Sequence, residues 1–222
     1  MSRSSARPWR GQEALLLGHS QMEGMAPYLR AHLLQDGARV VHTYAERGTN
    51  VARLRRAVYA GRRVLNASLA DEIPLVVVAL SGNGAVTGPL ALRANLDWLR
   101  AEYPRALIAW LGHTITETGT AADQERARAA ELEAREVPAR SGFVWIDMRV
   151  PGLPLSADGV HHTRAGYERL ADHAWSRLQE QAMADNNSVP WAVVLGGGAV
   201  AGVLLTLGAR WWMGRGVAVG ED

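Results

Sequence analysis

The sequence contains no cysteine, which excludes disulfide frameworks, thiolate nucleophiles and Cys-ligated zinc. It contains no lysine either, so every strongly basic side chain is arginine. These arginines are scattered along the chain and the formal net charge is only +2, so no nucleic-acid partner is expected. There is no Walker loop and no G-x-G-x-x-G, and the histidines lack zinc spacing. Neither a nucleotide, another cofactor nor a metal is expected. The basic, Ser-rich start, residues 1–12, is followed by an apolar run of only Ala14–Leu17. That run is too short for the core of a secretory signal and reads as a first strand.

What is present is an alternation. The 222 residues, 48% of them apolar, suffice for one domain with a real core plus an appendage. Short apolar runs at Ala14–Leu17, Arg39–Thr43, Leu75–Leu80, Ala106–Leu111 and Phe143–Ile146 read as strands. Leu75–Leu80 is continuously apolar and β-branched, as a strand buried on both faces should be. Helices are expected around Pro27–Gln35, near Asn50–Ala60, over Leu90–Tyr103 and, as an exposed helix, over Ala121–Glu136. A last helix carries an apolar stripe at Tyr167, Leu170, Ala171, Ala174, Trp175 and Leu178. The expectation is an α/β fold, a three-layer, flavodoxin-like, doubly wound parallel sheet of about five strands. Its ligand crevice would lie at the C-terminal strand ends. The expected organisation is a flexible N-terminus over 1–12, this domain over 13–184, a polar linker over 185–188, a membrane helix over 189–209 and a tail over 210–222.

Val189–Ala209 holds no charged residue, and about 20 apolar residues suffice to cross a bilayer. Trp191, Trp211 and Trp212 fit interfacial anchors. A single-pass C-terminal membrane anchor is the expectation, with Gly198 and Gly202 as a G-x-x-x-G surface for a homodimer. Arg210 and Arg215 favour a cytoplasmic tail and an external domain. The missing signal favours the reverse, so the side of the domain stays open.

Four segments fall where such a sheet places a site. Gly18-His19-Ser20-Gln21 follows the first strand, and Ser20 there is either exposed toward the crevice or a helix-capping serine. Gly48 follows the second strand and can bring a backbone N–H close to a substrate oxygen, or simply form a turn. Ser81-Gly82-Asn83-Gly84 follows the strongest strand, where Asn83 can aim its amide at an oxyanion or belong to an N-G turn. In Asp158-Gly159-Val160-His161, a carboxylate three residues before a histidine can orient the imidazole, leaving its other nitrogen to accept a serine proton. His162 is the alternative base.

Together these blocks resemble the SGNH (GDSL-like) hydrolase family over about residues 13–180. The resemblance implies the SGNH hydrolase fold, with Ser20 as nucleophile, His161 as base and Asp158 orienting it. The Ser20 and Gly48 N–H groups and the Asn83 side chain would form the oxyanion hole. Two blocks depart from the family pattern: His19 stands where aspartate is usual in G-D-S, and Gly84 where aspartate ends G-x-N-D. His19, Gln21 and His113 are candidates to line the substrate pocket. The function so implied is an esterase acting on acetyl or acyl esters of envelope carbohydrate or lipid. A degenerate binding or assembly module and an acyltransferase using the same serine are the alternatives.

Overall fold

The computed structural model of the protein describes residues 8–49, 53–56, 73–81, 89–114 and 121–188. The chain divides into two compact units, Met1–Ala182 and Met183–Asp222. The first contains β1 (Glu13–Gly18), α1 (Ser20–Gln35), β2 (Val40–Ala45), β3 (Leu75–Ala79), α2 (Pro89–Glu102), β4 (Leu107–Leu111), α3 (Ala121–Glu136) and β5 (Phe143–Ile146), and α4 (Arg164–Ser188) starts within it. Among the described residues the strands form one five-stranded sheet, ordered β2-β1-β3-β4-β5 and parallel throughout.

The two-residue period of the strands sorts the core into two halves. Ala14, Leu16, Val77, Ala79, Ala109 and Leu111 pack with Met22, Met25, Leu29 and Leu33 of α1 and with Leu170, Ala171, Ala174 and Leu178 of α4. Leu15, Leu17, Val76, Val78, Ile108 and Trp110 pack with Leu92, Leu96 and Leu99 of α2. Helices therefore cover both faces, as the alternation of elements predicts, and β3 is buried along its whole length. Each fully buried leucine contributes about 1.5–3 kcal/mol through the water it releases.

Three elements differ from the sequence expectation. Helix α1 begins at Ser20, not near Pro27: the His19 side chain caps it by accepting the Gln21 N–H, and Gln21, Met22, Met25 and Ala26 supply a buried first turn and a half. Pro27 sits inside the helix. Helix α3 is not exposed all round, because Ala130 and Glu133 turn inward. Residues 185–188, read as a linker, form the end of α4. Of the helix expected near Asn50–Ala60, one helical turn at 53–56 is described. The expected membrane segment over 189–209, with Gly198 and Gly202, lies outside the described residues. No helix among the described residues is long and apolar enough to cross a membrane.

Helices α1 and α4 run side by side in the same direction. Gly24 faces the Tyr167 ring so closely that a Cβ would sit 2.5 Å from it. At the start of α4 Arg164 Nε donates to Tyr28 Oη at 3.2 Å, and further along both helices His32 meets Asp172 at 2.7 Å while stacking on Trp175. Both helix N-termini thus lie at one end of the sheet, which is where Ser20 and the segment before Arg164 belong. At that end Gly18 leaves no room for a side chain: a Cβ would run into the Ala79 carbonyl oxygen and lie 2.6 Å from Met22 Cβ. Since backbone cannot step aside as a flexible side chain can, Gly18→Ala should cost about 1–3 kcal/mol of stability. Urea unfolding monitored by circular dichroism checks this, and an unchanged midpoint would mean that the strand ends are not so tightly apposed.

Candidate active site

The β1–α1 turn sets the nucleophile candidate. His19 N–H bonds to Ala79 O at 3.1 Å and Glu46 N–H bonds to Gly18 O at 3.2 Å, so the turn is held between the ends of β3 and β2. Ser20, half-buried, opens α1. At a helix start the backbone N–H groups have no intrahelical acceptor, and the aligned peptide dipoles favour negative charge. His19 Nδ1 takes the Gln21 N–H at 3.2 Å, while no described acceptor takes the Ser20 N–H. The loop that follows β2 brings Gly48 to the same end with φ +69, a left-handed conformation that glycine adopts without strain. Asn83 and its neighbours Gly82 and Gly84 lie outside the described residues.

The second half of the site is a self-contained turn. The Gly159 N–H bonds to Ser156 O at 3.0 Å, and Leu155 bridges His162 across the loop. Asp158 Oδ1 accepts from Ser156 Oγ at 2.6 Å, from His161 N at 2.9 Å and from Val160 N at 3.0 Å. Its other oxygen, Oδ2, meets His161 Nδ1 at 2.5 Å. The Ser156 hydroxyl, then the His161 backbone and ring, hold the Asp158 carboxyl well below the ordinary carboxylate range. An ionised Asp158 places the His161 proton on Nδ1 and leaves Nε2 as an acceptor. His161 is near enough to His19 for its charge to weigh against protonation of that ring. No hydrogen bond links His161 directly to Ser20.

The structure brings Asp158 and His161 into contact and sets Ser20 and Gly48 at the same end of the sheet. The three pocket candidates are more enclosed than the sequence implies. His19 is 3% exposed and commits both ring nitrogens, Nδ1 to the cap and Nε2 to Ser81 O at 2.7 Å. Burial is the main reason its pKa is lowered. Gln21 is buried and donates through Nε2 to Thr114 Oγ1 at 2.6 Å. His113 is buried as well. The alternative base, His162, lies 3.2 Å from that same Thr114 hydroxyl, with its pKa pushed down chiefly by burial. Thr114 therefore ties α1 to the loop that carries His161 and His162. Its only sequence signal was its place just beyond a strand end.

No family model matches the chain, and no curated protein matches it in sequence. Solved structures do. A protein from Slackia heliotrinireducens assigned as an SGNH hydrolase superposes with a TM-score of 0.59 at 23% identity, covering 75% of this chain and 98% of that one. The family 3 carbohydrate esterase of Clostridium thermocellum gives 0.61 at 13% identity, covering 78% and 98%. The C-terminal catalytic domain of Streptococcus pneumoniae peptidoglycan O-acetyltransferase A gives 0.55 at 17% identity, covering 77% and 94%. At such identities the likeness establishes the fold: this chain has the architecture of the SGNH hydrolases and esterases.

The buried imidazoles make stability depend on pH with a definite sign. In both His19 and His162 the folded state disfavours the proton, so below about 6.5, the ordinary imidazole value, the unfolded chain binds more protons. The contribution of these two rings to stability should therefore be lost as the pH drops through and below that value, opposed by the Glu133 carboxyl, which burial raises to about 7. His19→Asn, which retains a capping side chain but has no proton to gain, should shift the slope toward greater stability in acid. Urea midpoints measured across this range check it, and an unaltered slope would mean that His19 is protonated equally in both states.

Proposed function

We propose that the protein is a serine esterase of SGNH type that hydrolyses acetyl or acyl esters through an acyl-enzyme on Ser20. The observation carrying the proposal is the Asp158–His161 pair, with Nδ1 engaged by the carboxylate, at the same sheet end as Ser20. In this reading Ser20 Oγ attacks the ester carbonyl while its proton passes to His161 Nε2. The carbonyl oxygen becomes an oxyanion, received by the Ser20 and Gly48 N–H groups and by the Asn83 side chain. Asp158 stabilises the imidazolium that forms. Collapse breaks the C–O bond to the alcohol, which leaves with the proton from His161. Water then repeats the sequence: His161 removes its proton, the hydroxide oxygen attacks the acyl carbon, and Ser20 regains its proton. Substrates on envelope carbohydrate or lipid, and a membrane anchor over residues 189–209, belong to the same proposal. The anchor rests on the uncharged sequence of that segment.

The likeness to an O-acetyltransferase catalytic domain favours a second reading, in which a sugar hydroxyl replaces water in the second half-reaction. Both share the first half, so the test has two stages. The full-length chain should hydrolyse p-nitrophenyl acetate, and Ser20→Ala or His161→Ala should lower kcat/KM by at least about 10³-fold. Asn83→Ala should cost about 10²–10³-fold, as expected for loss of one oxyanion donor. Adding an oligosaccharide acceptor and analysing products by mass spectrometry separates the readings. Free acetate alone supports the esterase, and acetylated sugar the transferase. Turnover that survives Ser20→Ala would overturn both.

A further inference from the structure

None of the polar groups packed beneath the end of β3 takes part in that reaction scheme. Glu133 of α3 is fully buried, whereas Glu125 and Glu131 on the same helix are exposed. Burial of an ionisable carboxyl without a cation is costly, and none of the described cations pairs with Glu133. What it meets is Ser81, whose hydroxyl lies 2.8 and 2.7 Å from the two carboxylate oxygens. The Ser81 hydroxyl also receives Trp110 Nε1 at 3.2 Å and lies 3.2 Å from Leu111 O. The Ser81 carbonyl receives His19 Nε2 at 2.7 Å. A chain of contacts thus runs from α3 through the end of β3 to the residue preceding Ser20.

We infer that Glu133 is a positioning residue for the nucleophile: through Ser81 it holds the His19 turn, and with it Ser20, against the β3 end that leads into Asn83. The Ser81 hydroxyl lets the arrangement accommodate both protonation states of the carboxyl. With the carboxylate ionised, the Ser81 hydroxyl donates to it. With the carboxyl protonated, the acid proton is donated to Ser81 Oγ and the Ser81 hydroxyl turns to Leu111 O. Burial raises this carboxyl to about 7, against the pull of the surrounding donors, so both settings are populated near neutrality. The groups facing Glu133 are neutral: Ser81 from the β3 end, Trp110 from β4 and the Trp145 indole from β5, the last without a well-formed hydrogen bond. His19 is reached through the Ser81 carbonyl, and the charge of His161 acts in turn on His19.

The inference depends on the esterase reading for its effect on rate, so its test includes a measurement that needs no activity. In full-length chain labelled with ¹⁵N-histidine, the His19 Nε2–H should give a slowly exchanging ring resonance. Its shift should step with pH at a midpoint near 7, the value at which Glu133 titrates. The step should vanish in Glu133→Gln and in Ser81→Ala. If hydrolysis is present, both variants should lower kcat by about 10–10²-fold, as misplacement of a reacting group does, with KM little changed. The double variant should be no worse than the weaker single one, because both break one network. A His19 step that persists in Glu133→Gln would overturn the inference, as would wild-type kcat in both folded variants. Should Glu133→Gln fail to fold, Ser81→Ala decides alone, since it removes only a hydroxyl. Absence of all hydrolysis in the wild type would overturn the esterase reading and leave the resonance test intact.

Discussion

Parallel pairing of β1 with β3 brings two strand ends so close that the chain leaving β1 has one course open to it. Gly18 lies against the Ala79 carbonyl, the His19 N–H is bonded to that same oxygen, and Glu46 N–H closes on Gly18 O from the other side. Helix α1 can then start only at Ser20, with its N-terminus pointing over the sheet end. The cap is supplied by an imidazole, and its second nitrogen reaches across to Ser81. From this one apposition follow the place of Ser20, the orientation of α1 against α4 and the nearness of the histidine loop.

Beneath the site lies a layer of buried polar groups: His19, Gln21, Ser81, Thr114, Glu133 and His162. Hydrogen bonds among such groups each add only about 1 kcal/mol net, but leaving one unmade costs about 1–3 kcal/mol. The layer therefore specifies an arrangement more than it stabilises the fold. Its ionisable members are all shifted toward neutrality, the imidazoles downward and the carboxyl upward, with burial as the leading cause in each. Asp158 is the opposite case. It lies at the surface, is surrounded by donors and is held in its ionised form. Charge is thus kept to the outer rim, beside the partly exposed His161 ring. Environments that push titratable groups in opposite directions are what separates the roles of acid, base and scaffold within one site.

One of the departures from the SGNH block pattern, His19, looks different once placed. His19 is the joint between α1 and β3, its two ring nitrogens tying the β1–α1 turn to Ser81. A short carboxylate at that position would be only an acceptor and could not donate to Ser81 O. The histidine thus suits a turn whose cross-strand partner is a carbonyl. The Thr114 contacts with Gln21 and His162 make a second joint, between α1 and the loop that carries His161 and His162.

Much of this was legible in the residue order, because it depends on neighbours in sequence. The apolar runs of β3 and β4 read as strands since a strand buried on both faces must be apolar throughout, and the run of β5 reads as one although its edge position leaves Val144 and Trp145 half-buried. The Asp158–His161 contact spans three residues and needs only its own turn. Ser20 and Gly48 stand out by lying just past strand ends. The start of α1 is not legible because Pro27 looks like a helix opening and histidine is an uncommon cap. Glu133 reads as part of an exposed helix because its surroundings are charged, though Ala130, Glu133 and Val137 fall on one inward stripe. What only the tertiary structure decided are the contacts that cross the sheet. Ser81 and Glu133 are 52 residues apart, and Gln21 and Thr114 are 93 apart. Such pairs meet only after the strands have taken the order β2-β1-β3-β4-β5. Strand order depends on which edges pair and on which side each crossover packs, quantities that no local pattern of residues encodes.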